Sequence, residues 1–172
     1  VVLNPGSRLP EKLWPEERWI ALGRELAKRG CRIVVNTGPA ADEIALGVRI
    51  ADAIGAGAIS TKSALTWAQL AHLLYSARLL VTVDTAAMHL AAACQCPTVA
   101  LFGLVPAGQW RPWGSPCRVL TARGEWGVRA ARDARHERPH DSVPPGAVRT
   151  TTTEVGAGAV GCTGPAWGWQ AE

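Results

Sequence analysis

Leu79-Leu80-Val81-Thr82-Val83-Asp84-Thr85-Ala86-Ala87-Met88-His89-Leu90-Ala91-Ala92-Ala93 is the stretch that decides the fold. Its first five residues are apolar apart from Thr82, the text of a strand buried on both faces. After Asp84 the chain turns to small residues that start a helix at about Ala86 and carry it to Cys94. A buried strand that feeds directly into a helix is the repeating unit of a parallel sheet covered by helices on both sides.

The same alternation extends outward in both directions. Val1–Leu3 reads as a strand and Asn4-Pro5-Gly6-Ser7 as a turn. A helix is predicted from near Pro15, where proline suits the first turn and Glu16 and Glu17 suit the N-terminal dipole. Its apolar face is Trp19, Ile20, Leu22 and Leu26, and Gly30 ends it. Arg32–Asn36 is a strand, Thr37-Gly38-Pro39 a turn, and Ala41–Ile54 a helix with Ile44, Val48 and Ala51 on its inner face. A short strand follows at Ala58–Ser60. Thr66 then caps a helix over Trp67–Ser76, with Leu70, Leu73 and Leu74 buried. Thr98–Phe102 is a further strand, closed by Gly103. The expected fold class is α/β, a Rossmann-like parallel sheet with helices on both faces, counted as five strands within residues 1–102.

The chain has 172 residues, 48% hydrophobic and 19% charged, enough for one core. No run of 18 apolar residues is present, so no membrane-spanning helix is expected. The chain opens on Val1-Val2-Leu3 in mid-strand and has no basic-then-apolar leader, which suggests a fragment. The net charge is +4. All of that excess lies in residues 1–122, with 12 Lys/Arg against 8 Asp/Glu, since residues 123–172 hold six of each. A mild surplus fits an anionic ligand such as a nucleotide and is too scattered for nucleic acid. The five cysteines form no C-x-x-C pair, and Cys31 and Cys94 sit in apolar text that suggests buried free thiols in a reducing cytoplasm.

From Ala122 to Glu172 there is no Leu, Ile, Phe, Met, Lys or Asn. Such text cannot supply a core. Residues 1–122 are therefore expected to form one nucleotide-sugar (donor) binding domain. Residues 123–172 are expected to be a disordered or non-native low-complexity tail of the kind a GC-rich gene yields out of frame.

Four stretches carry candidate chemistry. In the first, Gly6 lets backbone amides approach an anion, Ser7 donates to a phosphate oxygen, and Lys12 supplies a point charge for a pyrophosphate. A loop lysine is more often a solvated surface charge, and the spacing is not that of a Walker loop. In the second, the amides of Thr85, Ala86 and Ala87 face an anion at a helix N-terminus, at the strand end where α/β sheets bind ligands. Asp84 is equally an N-cap, and His89 reads more readily as an interior histidine beside Met88. In the third, Asp42 or Glu43 can accept both ribose hydroxyl protons, although helix-start acids are common without any ligand. In the fourth, Trp110-Arg111-Pro112-Trp113-Gly114 reads first as a packing anchor and second as a stacking platform.

Taken in order, Pro5-Gly6-Ser7, Lys12-Leu13-Trp14-Pro15-Glu16-Glu17-Arg18-Trp19, Asp84 to Ala93, Pro97-Thr98-Val99-Ala100-Leu101-Phe102-Gly103 and Trp110 to Gly114 resemble glycosyltransferase family 9, the lipopolysaccharide heptosyltransferases. The resemblance covers residues 1 to about 122. It departs from the family's pattern at Ala86, where many members have glycine, and at Leu104, where proline is usual.

The resemblance implies the C-terminal half of a GT-B fold, in which this half holds the donor, ADP-heptose. The other half, expected to be missing here, holds a lipid-linked saccharide acceptor and supplies the base. By the same analogy Lys12 and Asp84 are the catalytic residues, Asp84 contacting the transferred sugar. Ser7, Thr85, Ala86, Ala87 and His89 line the diphosphate site, and Asp42 or Glu43 takes the ribose. The reaction implied is an inverting heptose transfer with no cofactor and no metal, and no D-x-D or His/Cys cluster is present in the sequence. The location implied is the cytoplasm, at the inner face of the inner membrane. The isolated chain is expected to bind donor weakly without turnover. The alternatives are a nucleotide-binding Rossmann-like module, against which no G-x-G-x-x-G follows the first strand; an epimerase resembling the UDP-GlcNAc 2-epimerases, whose motifs do not match Lys12 to Pro15; and an inactive fragment.

Overall fold

The computed structural model describes residues 1–103 and 106–121 in full, and residues 124–125 as backbone strand. Within them lie strands β1 (Val2–Asn4), β2 (Ile33–Val35), β3 (Ala58–Ser60), β4 (Leu80–Val83), β5 (Thr98–Phe102), β6 (Cys117–Thr121) and β7 (Gly124–Glu125). The helices are α1 (Glu16–Lys28), α2 (Ala41–Ile54), α3 (Trp67–Ser76), α4 (Ala86–Ala93) and α5 (Ala107–Trp110). One sheet contains all seven strands, in the order β3-β2-β1-β4-β5-β6-β7. The first six are parallel, and β7 adds an antiparallel edge. The expected α/β, Rossmann-like sheet is what forms.

Two strands were not foreseen. The count of five stopped at residue 102, but β6 pairs with β5 from Thr98↔Cys117 to Phe102↔Thr121. Its short text buries only Val119 and Leu120 in the core and leaves Arg118 exposed, so its periodicity is faint. β7 lies beyond residue 122. The remainder of the expected tail, along with Leu104, lies outside the described residues.

Alternation along the strands divides the core between two faces. Leu3, Val81, Val83, Val99, Leu101 and Leu120 point to the side covered by α1 and α2, with Trp19, Leu22, Leu26, Ile50 and Ala51. Val2 and Leu80 point to the other side, against Leu70 and Leu74 of α3 and Ala87 and Ala91 of α4. Ala100 and Phe102 meet Met88 and Ala107 there. Each fully buried aliphatic side chain contributes roughly 1.5–3 kcal/mol.

Local signals set the helix limits. After α1, Gly30 takes φ 81°, its N–H reaches Ala27 O, and Cys31 N–H reaches Leu26 O, a Schellman ending. Pro15 stands just before α1 rather than within its first turn. The inner face of α2 is Gly47, Ile50 and Ala51, while Ile44 and Val48 are only half-buried. The stripe shifts because Gly47 brings α2 so close to β2 that any side chain there would overlap Thr37 Cγ2. Among the described cysteines all are free; Cys96 is the buried one, while Cys31 and Cys94 are half-buried. The expectation of buried thiols at those two positions is thus corrected. Among the described residues no helix is long and apolar enough to cross a membrane.

Candidate functional site

In this strand order the chain reverses direction between β1 and β4, and the crevice at their carboxyl ends is where doubly wound sheets take ligands. β1 ends in Asn4 and Asn36 directly follows β2, so the parallel register of the two strands, with Leu3 opposite Val35, leads the two asparagines to the same end of the sheet. Asn36 Nδ2 donates to Asn4 Oδ1 at 2.7 Å. Asn4 Nδ2 donates to Thr82 Oγ1 at 3.2 Å and to Thr85 Oγ1 at 3.1 Å. Thr61 Oγ1 donates to Asn36 Oδ1 at 3.4 Å. Asn4, Asn36 and Thr82 are buried. A polar seam therefore runs across four strand ends, β3-β2-β1-β4, with its members satisfying one another as buried polar groups must.

Lys12 and Asp84 meet over this seam. Lys12 Nζ lies 2.7 Å from Asp84 Oδ2, and their side chains are 17% and 7% exposed. Lys12 ends a 3-10 turn over Pro10–Lys12 that follows β1. Two residues on, Trp14 is buried in the core and meets Trp19 of α1 edge to face, with ring centroids 5.1 Å apart. The loop that carries the lysine is thereby pinned to the helix behind it. Asp84 directly follows β4 and is held in place by that strand.

Glu43, and not Asp42, occupies the crevice between the first two turns. Its Oε2 accepts the Gly38 N–H at 3.0 Å, and a Cβ on either Gly6 or Gly38 would overlap the same carboxylate oxygen. Two glycines thus make room for one acid. Asp42 is exposed, and its Oδ1 accepts the Glu43 N–H at 3.0 Å, the role of a helix-start acid. Ser7, half-buried next to Gly6, accepts the Leu9 N–H with its Oγ at 3.2 Å.

α4 begins at Ala86, with Thr85 as the N-cap residue in extended backbone and no side-chain cap hydrogen bond. Ala86 is exposed, Ala87 packs into the core, and His89 is exposed. The interior reading of His89 is therefore wrong: the α4 stripe that packs inward is Ala87, Met88, Ala91 and Ala92, which leaves His89 on the outer face. The packing reading of the tryptophan pair also fails. Trp110 is 51% and Trp113 73% exposed, with the Arg111 guanidinium 5.6 Å from the Trp113 ring centroid. Only Pro112 of that stretch is buried.

The structure thus joins Lys12 to Asp84, ties Thr85 to Asn4, and sets Glu43 against the glycine turn that precedes Ser7. Asn4, Asn36, Thr61 and Thr82 were not singled out from the text. Their signal was the repeated ending of two apolar runs in asparagine, Val2-Leu3-Asn4 and Val34-Val35-Asn36.

Known proteins with similar sequence and structure agree on one relationship. The family model for glycosyltransferase family 9 (heptosyltransferase) matches residues 1–136. The match thus extends past residue 122, where the resemblance was expected to stop. A lipopolysaccharide heptosyltransferase 3 from Escherichia coli is 31% identical over 136 residues, which cover 78% of this chain and 40% of that protein. The solved structure of the E. coli heptosyltransferase WaaC with ADP superposes with a TM-score of 0.74 at 26% identity, covering 90% of this chain and 43% of that one. The same enzyme with ADP-2-deoxy-2-fluoro heptose gives a TM-score of 0.70 at 26% identity, covering 89% and 42%. The chain therefore spans about two fifths of the length of these relatives.

Proposed function

Because this chain belongs to glycosyltransferase family 9, the heptosyltransferases, we propose that it is the donor-binding half of an inverting GT-B glycosyltransferase. Its donor is ADP-heptose, and the acceptor is a lipopolysaccharide core saccharide held by the other half of the enzyme. The observation that carries this reading is the Lys12–Asp84 pair at the strand reversal, 2.7 Å apart beside the start of α4.

Each group has a part in that chemistry. Heptose transfer breaks the bond between C1 and the diphosphate, so negative charge grows on ADP as the acceptor hydroxyl attacks. Lys12 and the first amides of α4 offset that charge, and they gain most when it is fully developed. Ser7 adds a hydroxyl donor to the same phosphates, and the exposed His89 adds a donor one turn along α4. Glu43 accepts the ribose hydroxyl protons, with Asp42 supporting the start of α2. Asp84 turns from Lys12 to a hydroxyl of the heptose when donor binds. No cofactor is required, and the general base lies in the acceptor half. The site of action is the cytoplasmic face of the inner membrane, where the lipid-linked acceptor is reached.

Calorimetric titration tests the reading with ADP, ADP-heptose and NAD as ligands. ADP and ADP-heptose should bind, and NAD more weakly. Lys12→Ala should weaken both adenosine ligands, whereas Asp84→Ala should weaken ADP-heptose more than ADP. A folded chain that prefers NAD, or whose ADP affinity ignores Lys12, is instead a nucleotide module of another kind; one that binds neither is an inactive fragment.

A further inference from the structure

Two helices on the same face of the sheet start with threonine as the N-cap residue. At α3, Thr66 caps as expected: its Oγ1 accepts the Gln69 N–H at 3.3 Å, while Gln69 Oε1 accepts the Thr66 N–H at 2.9 Å. At α4, Thr85 also has extended backbone, with φ −148° against −68° at Thr66, yet makes no cap hydrogen bond. The structure contains the reason. Thr85 Oγ1 is drawn away from the helix by Asn4 Nδ2 at 3.1 Å, with Thr82 Oγ1 beside it at 3.5 Å.

The direction of this pull is fixed by the partners on both sides. Thr82 Oγ1 donates to Val83 O at 2.7 Å, so it can only accept from Asn4. Asn36 Nδ2 occupies Asn4 Oδ1 at 2.7 Å, which orients the Asn4 amide with its NH2 towards the two threonines. Asn4 is buried, and each of its polar atoms is engaged. A threonine hydroxyl left to itself at an N-cap would accept the N–H of the second or third helical residue, here Ala87 or Met88. Met88 N–H already reaches Thr85 O at 3.1 Å, so Ala87 N–H is the amide that Thr85 Oγ1 would otherwise close.

We propose that Asn4 is a positioning residue that holds the Thr85 hydroxyl off the start of α4, keeping the Ala87 amide open for the diphosphate of the donor. The inference rests on the donor-site reading above. It adds a residue that touches no ligand and acts through Thr85. The cost of leaving a helix uncapped is accepted because the bound diphosphate becomes the cap.

The test is a cycle of Asn4→Ala and Thr85→Val, read by ADP affinity and by hydrogen exchange of the Ala87 amide in the free protein. In Asn4→Ala the released hydroxyl caps α4: ADP binding weakens about tenfold, the size of one N-cap interaction, and Ala87 exchange slows. Thr85→Val removes the hydroxyl, together with any contact it makes to the diphosphate, and sets the reference for the double variant. The double variant should bind ADP within about twofold of Thr85→Val, with fast exchange at Ala87 in both. A further loss of about tenfold on adding Asn4→Ala to Thr85→Val means that Asn4 merely supports the fold and overturns the proposal, as does an Asn4→Ala variant with unchanged affinity and exchange. If the unaltered chain does not bind ADP, the donor-site reading falls, and Ala87 exchange alone supports or overturns the positioning role. Should Asn4→Ala not fold, Asn4→Ser, too short to reach Thr85, takes its place in the cycle.

Discussion

Replacing Lys12 should cost more stability than replacing Asp84, although the two form one ion pair. At 2.7 Å the gross attraction is about 6 kcal/mol for an effective dielectric near 20, most of it offset by desolvation. What differs is the partner each substitution leaves behind. Lys12→Met keeps the aliphatic stem but strands the Asp84 carboxylate, 7% exposed, with its charge unpaired. A hydrogen bond to a charged group is worth about 1.5–3 kcal/mol, and stranding the buried partner puts the loss at about 2–3 kcal/mol. Asp84→Asn leaves an ammonium that is 17% exposed on a flexible stem, which can turn towards water. Its loss should be about 1 kcal/mol or less. Urea denaturation of the three proteins measures the difference directly, provided the m-value stays constant. An Asp84→Asn variant less stable than Lys12→Met, or a Lys12→Met variant within about 0.5 kcal/mol of the unaltered chain, refutes the reasoning.

Gly47→Ala gains about 0.5–1 kcal/mol of helix propensity but overlaps Thr37 Cγ2, whose rotamer is held by the Ser63 N–H on Thr37 Oγ1 at 2.9 Å. The overlap wins, and thermal unfolding should show a net loss of about 1–2 kcal/mol; a rise in Tm would contradict it. Thr66→Ala should cost about 1 kcal/mol by removing the α3 capping box, and an unchanged urea midpoint would show that the box contributes nothing. Burial pushes the Cys96 thiol up to about 11, from an ordinary value of 9.0. The folded state then holds that proton more tightly than the unfolded chain, so this contribution to stability is complete below about pH 9 and disappears as pH rises through 11. Alkylation of the native protein should accordingly leave Cys96 unlabelled at pH 8, where only about a thousandth of it is thiolate, and early labelling there would count against its burial.

Much of the fold was legible because its signals are local. The Ala41–Ile54 and Trp67–Ser76 helices and the Ala58–Ser60 and Thr98–Phe102 strands form within the limits their text suggests. Gly30 and Thr66 mark helix ends through their own backbone and hydroxyl chemistry. What escaped depends on neighbours far along the chain. β6 is recognisable only once β5 offers it a parallel partner. The inner stripe of α2 is set by its close approach at Gly47 to Thr37, which no periodicity within the helix records. The same holds for the site. Lys12, Glu43 and Asp84 stood out as charges at turns, but Asp42 and Glu43 could be told apart only by the space that Gly6 and Gly38 leave for one of them. Asn4 read as a turn residue and Asn36 as the end of a strand, and neither showed its partners because strand register supplies them, 32 residues apart for the pair and 81 for Asn4 with Thr85. His89 and the tryptophans at 110 and 113 were read as packed because apolar and aromatic residues surround them in sequence, while in space they lie on outer faces.

The central claim is that the crevice between β1 and β4 takes the donor nucleotide. A crystal structure of this chain with ADP tests it most directly. The diphosphate should lie within hydrogen-bonding distance of Lys12 Nζ and the Ala86 and Ala87 amides, with the ribose hydroxyls on Glu43. ADP seated on any other part of the chain, with the Lys12–Asp84 pair intact and Glu43 untouched, would contradict it.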